Sequence, residues 1–283
     1  MFTEIIKFIT YSTLIVIIAK YFLVTVLRKL SEALDLSPKM IGNIAGIATS
    51  VPELLTVSFS AFAGFIGASS YNILSSNIIN FIQYTMSIYL NKNQKKLNNR
   101  ALIIDLVLVI LTIIIPILMF ITNIEFNINI VPIFLLLLSL FYYINNNAHK
   151  LYLSTQEKEI SKEINEEKKW VKGKKKVVIK YVIYLIFIGI LLYIIGDNLS
   201  KSLTNLCNIF GISEVVLGIL LGFITSIPEL ITFFESQKFY KKRQDKKLTE
   251  LGLIEATNNL LTSNILNLFV IQSIGIVIFY IMK

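Results

Sequence analysis

The stretch Gly42-Asn-Ile-Ala-Gly46-Ile-Ala-Thr49-Ser50-Val-Pro52-Glu53-Leu-Leu-Thr56 decides the reading of this chain, because the chain contains it twice. A shift of 176 residues lays Gly218, Gly222, Thr225, Ser226, Pro228, Glu229 and Thr232 on Gly42, Gly46, Thr49, Ser50, Pro52, Glu53 and Thr56. Both copies sit inside long apolar segments. A carboxylate in the middle of a membrane helix is expensive, and by default it marks an ion or substrate pathway. Two carboxylates in matched settings point to a site.

The surroundings set the class. Of 283 residues, 55% are hydrophobic and only 16% are charged. Several apolar runs exceed the ~18 residues that mark a membrane-spanning helix. They lack the period-2 alternation of barrel strands and are too long for them. The expected fold is therefore an all-α polytopic membrane protein. The first run, from near Ile5 to about Leu27, is too long for a signal-peptide core and has no small-residue cleavage site after it. It is expected to be a retained helix. The single cysteine, Cys207, excludes an internal disulfide and a Cys-based metal site. The single histidine, His149, lies beside Asn145, Asn146 and Asn147 at a helix end and reads as interfacial. Neither His-Glu-x-x-His nor Gly-x-Gly-Asp occurs, and Asp105 and Asp197 read as helix-end residues, so no enzyme activity and no cofactor are expected.

About eight spans are expected, near 5–27, 38–66, 70–90, 101–122, 128–145, 177–200, 211–239 and 252–282. Their connections alternate in charge. One set carries Arg28 and Lys29, then Lys92, Lys95, Lys96 and Arg100, then nine basic residues from Lys150 to Lys176, then Lys241, Lys242, Arg243, Lys246 and Lys247. The opposite set has only Lys7, Lys201 and Lys283. The positive-inside rule places the first set in the cytoplasm and both termini outside. The net charge of +9 thus reports topology, and a nucleic-acid partner is not implied. With this topology, the Glu53 helix runs outward and the Glu229 helix runs inward. That is an inverted-topology repeat, for which substrate sites are expected near the midplane between the copies. The expected organisation is a first repeat of five helices over 1–145, with motif helix 38–66, a charged cytoplasmic linker over 146–176, and a second repeat of three helices over 177–283, with motif helix 211–239.

The chemistry follows from the spacing. On a helix, Gly46, Thr49, Ser50 and Glu53 share one face at i, i+3, i+4, i+7, as do Gly222, Thr225, Ser226 and Glu229. Pro52 cannot donate to the carbonyl of Ala48, nor Pro228 to that of Ile224. In hydrocarbon a freed carbonyl must find another partner. A cation held by Thr and Ser oxygens, a carbonyl and a Glu would supply one. Such hard oxygens suit Ca²⁺ and Na⁺ and suit copper or zinc poorly. Each motif helix is followed by a polar one, Asn72-Ile-Leu-Ser-Ser76-Asn77-Ile-Ile-Asn80 and, 187 residues on, Asn259-Leu-Leu-Thr-Ser263-Asn264-Ile-Leu-Asn267. Asn72, Ser76 and Asn80 fall on one face, as do Asn259, Ser263 and Asn267.

The two Thr-Ser-x-Pro-Glu segments, each followed by Ser-Asn-x-x-Asn, resemble the alpha repeats of the calcium/cation antiporter superfamily, typified by sodium/calcium exchangers. The likeness covers about 38–83 and 211–272. It implies an alternating-access antiporter of the cytoplasmic membrane that moves Ca²⁺ against Na⁺, or against H⁺ in other branches. It also implies that Glu53 and Glu229 are the shared carboxylates and that Thr49, Ser50, Thr225 and Ser226 add oxygens. Gly46 and Gly222 would occupy backbone-ligand positions, and Ser76, Asn80, Ser263 and Asn267 would complete the site. Members with an acidic residue at the place of Asn267 include the potassium-dependent ones, so potassium co-transport is not expected. Family glycines are replaced at Tyr71, Ser75, Asn258 and Thr262, and a small residue by Ile224. The family fold has five helices per repeat; here the second repeat stops after its third. The rival readings are exchange of another divalent ion, and a non-transporting relative that binds Ca²⁺.

Overall fold

Where the sequence changes from an apolar run to Thr-Ser-x-Pro, the chain ends one helix and starts the next. α3 (Pro38–Thr49) stops before Ser50 and α4 (Val51–Phe62) begins after it; α9 (Glu214–Thr225) and α10 (Ile227–Lys241) repeat the break at Ser226. Both proline residues therefore lie in the first turn of a helix, where a missing N–H costs nothing. Each expected motif helix is one membrane-crossing stretch interrupted for a single residue into two half-helices, and the stripe of small and hydroxyl residues runs across the interruption.

The other elements are α1 (Phe2–Ile17), a π-helical segment (Ile18–Leu23), α2 (Val24–Ala33), α5 (Ile66–Leu90), α6 (Arg100–Ile121) and α7 (Ile130–Tyr152). They continue with α8 (Lys174–Phe210), α11 (Leu248–Ile265), a second π-helical segment (Leu266–Ile271) and α12 (Gln272–Met282). The computed structural model describes residues 2–34, 36–62, 64–98, 100–122, 126–152, 174–211, 213–241 and 248–283. Residues 153–173 of the expected linker lie outside the described residues, as do the side chains of His149 and Cys207. The ends of that linker are helical, since α7 continues to Tyr152 and α8 starts at Lys174.

Among the described residues, six helical stretches are long and apolar enough to cross a membrane: 38–62, 102–121, 130–147, 176–210, 214–239 and 251–282. The other two expected spans are helical too. One is divided by the first π-helical segment, and α5 carries Asn72, Ser75, Ser76, Asn77 and Asn80 in its buried face. α8, at 37 residues, would extend about 55 Å, well beyond a hydrocarbon core about 30 Å thick. α6 presents Ile103, Val107, Ile110, Leu111, Ile114 and Leu118 outward along one stripe, the surface that lipid solvates.

The packing around the motif is crosswise. α3 lies along α11 and α9 lies along α5, so each first half-helix packs on the polar helix of the other repeat. α4 packs on α5 and α10 on α11, within one repeat. Small residues set the approach. A Cβ on Gly46 would lie 2.7 Å from the Asn259 carbonyl oxygen and 2.8 Å from Thr262 Cβ. A Cβ on Gly218 would lie 2.6 Å from the Ala68 carbonyl oxygen and 2.7 Å from Tyr71 Cβ. Gly42 faces Asn258 and Gly222 faces Ser75 in the same way. The four family glycines replaced at Tyr71, Ser75, Asn258 and Thr262 are therefore opposed by glycines that remain, and close contact needs only one of each pair.

Buried polar contacts lock the arrangement. Asn77 Nδ2 donates to the Asn264 carbonyl and Asn264 Nδ2 to the Asn77 carbonyl, both at 3.2 Å. These two residues are equivalent in the repeats. Their exchange of identical bonds is the contact that a two-fold relation between the halves produces. Asp105, near the start of α6 as expected, is fully buried and accepts from Asn145 Nδ2 at 2.9 Å. Lys39 Nζ donates to Asn145 Oδ1 at 3.0 Å, joining the start of α3 to the α6–α7 hairpin. Ser37 caps α3 by accepting from the Met40 amide, with Pro38 in the first turn.

Candidate cation site

The ten expected side chains converge in the interior. Thr49, Glu53, Ser76, Asn80, Thr225, Ser226, Glu229, Ser263 and Asn267 have no exposed surface and Ser50 only 2%. Gly46 and Gly222 are buried beside them. The half-helix breaks place Glu53 and Glu229 in the first turns of α4 and α10. Helix N-termini favour negative charge there.

Ser263 is the hub. Its Oγ donates to Glu229 Oε1 at 3.1 Å and accepts from Ser50 Oγ at 2.9 Å and Asn80 Nδ2 at 3.4 Å. One serine of the second repeat thus ties two residues of the first to the second carboxylate. Ser76, its equivalent, bonds differently: it is 3.3 Å from Asn72 Oδ1 and 3.4 Å from the Gly222 carbonyl. Thr49 Oγ1 and Ser50 Oγ donate to the Gly46 carbonyl at 3.4 and 2.8 Å. Thr225 Oγ1 donates to the carbonyls of Leu221 and Gly222 at 3.0 and 3.4 Å. A hydroxyl is donor and acceptor at once. Oxygens that now point hydrogens at these carbonyls can present lone pairs to a cation by rotating.

Six buried oxygens on these ten residues are left without a hydrogen-bond partner. They are both carboxylate oxygens of Glu53, Oε2 of Glu229, Ser226 Oγ, and Oδ1 of Asn80 and Asn267. Unpartnered buried polar atoms cost free energy, most of all on a charged group. A cation would satisfy this set, and the set is all hard oxygen. Among the described residues no group of three or more His, Cys, Asp or Glu is close enough to hold a metal. An ion here would have two carboxylates and neutral oxygens to hold it.

Six side chains outside the expected set, Thr56, Thr232, Asn72, Asn259, Asn77 and Asn264, also belong to the site's wall. Asn72 Nδ2 donates to Thr56 Oγ1 at 2.7 Å, and Asn259 Nδ2 donates to Thr232 Oγ1, fixing each polar helix to its own motif half-helix. Asn267 Nδ2 donates to Asn77 Oδ1 at 3.2 Å. The repeat itself was the signal for these, since Thr56, Thr232, Asn72, Asn259, Asn77 and Asn264 all recur at the two shifts.

A family profile described as Sodium/calcium exchanger protein matches residues 5–146 and 180–282, most of the chain. This chain belongs to the sodium/calcium exchanger family. It is a membrane-embedded, multi-pass cation exchange transporter, and its two motif copies are the alpha repeats of that family. Structures of the sodium-calcium exchanger NCX_Mj superpose over nearly its whole length. The form soaked with 10 mM Na⁺ and zero Ca²⁺ gives a TM-score of 0.59 at 19% identity, covering 98% of this chain and 84% of that one. The form soaked with 100 mM Na⁺ and 10 mM Sr²⁺ gives 0.58 at 20%, covering 96% and 82%. At such identity the likeness establishes the exchanger fold, with its inverted repeats, and nothing finer. A sequence search of curated proteins gives no match.

Proposed function

We propose that the chain exchanges Ca²⁺ for Na⁺ across the cytoplasmic membrane by alternating access, with both termini outside. One observation carries the reading. Six unpartnered buried oxygens, two of them both oxygens of one carboxylate, lie on the motif and polar helices of both repeats. Glu53 and Glu229 together supply about two negative charges, which one Ca²⁺ or several Na⁺ ions neutralise. Thr49, Ser50, Thr225, Ser226, Ser76, Ser263, Asn80 and Asn267 supply neutral oxygens, with the carbonyls of Gly46 and Gly222 behind the hydroxyls. Competition for one set of oxygens couples the two fluxes. Each half of the site belongs to a different repeat, so rocking one repeat against the other exposes it to one side at a time. A ligand biases that equilibrium only through unequal affinity for its two states.

The test is uptake of radiolabelled Ca²⁺ into proteoliposomes under opposed Na⁺ or H⁺ gradients. Uptake driven by a Na⁺ gradient is expected. Uptake driven only by H⁺ would replace the coupling ion. Binding of Ca²⁺ to purified protein with no uptake under either gradient would make the chain a non-transporting relative.

A further inference from the structure

Among the side chains of the candidate site, only the asparagines have a wrong way round. A carboxamide carries an acceptor, Oδ1, and a donor, Nδ2, on one nearly symmetrical plane, and only Oδ1 suits a cation. Asn80 and Asn267 both leave Oδ1 unpartnered and both engage Nδ2 elsewhere. Asn267 Nδ2 donates to Asn77 Oδ1 at 3.2 Å, and Asn80 Nδ2 donates to Asn264 Oδ1 at 3.3 Å. Each contact crosses between the repeats, and exchanging the repeats turns one contact into the other.

Asn77 and Asn264 are themselves fixed. Nδ2 of each donates to the main-chain carbonyl of the other at 3.2 Å, and a carbonyl oxygen only accepts. Asn77 has a second anchor of the same kind. Pro116, inside α6, has no N–H to give the Thr112 carbonyl, and Asn77 Nδ2 lies 3.4 Å from that oxygen. From these carbonyls outward, each bond has one possible direction. The carbonyls take Nδ2 of Asn77, so its Oδ1 is the end that meets Asn267; Asn267 must then offer Nδ2, and its Oδ1 is left over. The chain through Asn264 leaves Asn80 Oδ1 over in the same way. All four asparagines have no exposed surface.

We propose that Asn77 and Asn264 are positioning residues that hold the carboxamides of Asn267 and Asn80 with oxygen free for the ion, and so set the site for cations. This rests on the reading of the site as a cation site. Glu53 and Glu229 leave three carboxylate oxygens unpartnered there. Beside such oxygens an unheld carboxamide gains by presenting its donor end, a charge-assisted bond that competes with the cation. The two clamps remove that alternative, one from each repeat.

A double-mutant cycle tests this, read by equilibrium binding of radiolabelled Ca²⁺ to the purified chain. Asn77→Ala and Asn267→Ala are each expected to weaken binding roughly tenfold. Because the first acts through the second, Asn77→Ala/Asn267→Ala should bind within about twofold of Asn267→Ala alone. Asn264→Ala with Asn80→Ala should repeat the pattern. Losses that multiply in both pairs would show separate structural roles and overturn the proposal. Pro116→Ala, on α6, gives the Thr112 carbonyl a helical N–H again. It should weaken binding roughly threefold in the otherwise unaltered chain and leave Asn267→Ala unchanged; an equal loss in both backgrounds would contradict the clamp. This variant keeps Asn77, so it tests the clamp even where Asn77→Ala does not fold. Absence of Ca²⁺ binding to the unaltered chain would overturn the cation-site reading and the clamp with it, an outcome distinct from multiplied losses.

Discussion

Glu53 and Glu229 occupy equivalent places in two copies of one motif, yet their partners differ. Glu229 accepts a hydrogen bond from Ser263, whereas neither oxygen of Glu53 has one. Ser76, the counterpart of Ser263, is engaged with Asn72 and the Gly222 carbonyl instead. Asn80 sits in regular α-helix, and its counterpart Asn267 lies in a π-helical segment, a local widening often found at functional sites. The repeats share a backbone plan, and their side chains have diverged around it. Under the proposed function Glu53 would depend more on a bound cation, whereas Glu229 is partly served by protein.

The largest expected effects come from the carboxylates. Glu53→Gln and Glu229→Gln should each lower exchange by at least about 100-fold, since removing one partner of a buried charge pair costs roughly 3–5 kcal/mol. Stability sharpens the comparison. In ion-free buffer, Glu53→Gln should raise the melting temperature more than Glu229→Gln, because it removes the carboxylate that has no protein partner. Equal shifts would mean that the two sites are energetically alike.

Close packing comes next. Gly46→Ala and Gly222→Ala should each destabilise by about 1–3 kcal/mol in thermal unfolding, since the new methyl meets a backbone carbonyl at 2.7 or 2.8 Å. Thr262→Gly, which empties the opposite partner of Gly46, should cost less. A comparable loss, near 1–3 kcal/mol and alike for both variants, is expected for Asn77→Ala and Asn264→Ala. If one of them is silent, the two-fold contact is not shared equally. Smallest are the hub serines. Ser263→Ala should weaken Ca²⁺ binding about tenfold, as it loses a bond to a charged group, and Ser76→Ala by no more than about threefold. Titration calorimetry reads both.

Much of this arrangement follows from spacing. The pairing of two shifts, 176 and 187, brings Glu53, Ser76, Glu229 and Ser263 to one place because residues on one helical face stay together in a bundle. Other features depend on contacts between distant segments. The breaks at Ser50 and Ser226 arise where a proline two residues on makes a helix start favourable, which a continuous stripe conceals. Asp105 is a helix-end residue whose cover by Asn145, forty positions later, the local sequence does not show. Tyr71 and Thr262 look like losses of small residues until Gly218 and Gly46 are found opposite.

The central claim is that one set of oxygens, contributed by both repeats, serves both ions. Competition binding tests it most directly: Ca²⁺ titrated into purified protein at increasing Na⁺, for the unaltered chain, Glu53→Gln and Glu229→Gln. The account predicts a single tight Ca²⁺ phase that Na⁺ displaces and that either substitution removes. Tight Ca²⁺ binding that ignores Na⁺, or that survives in both variants, would contradict it.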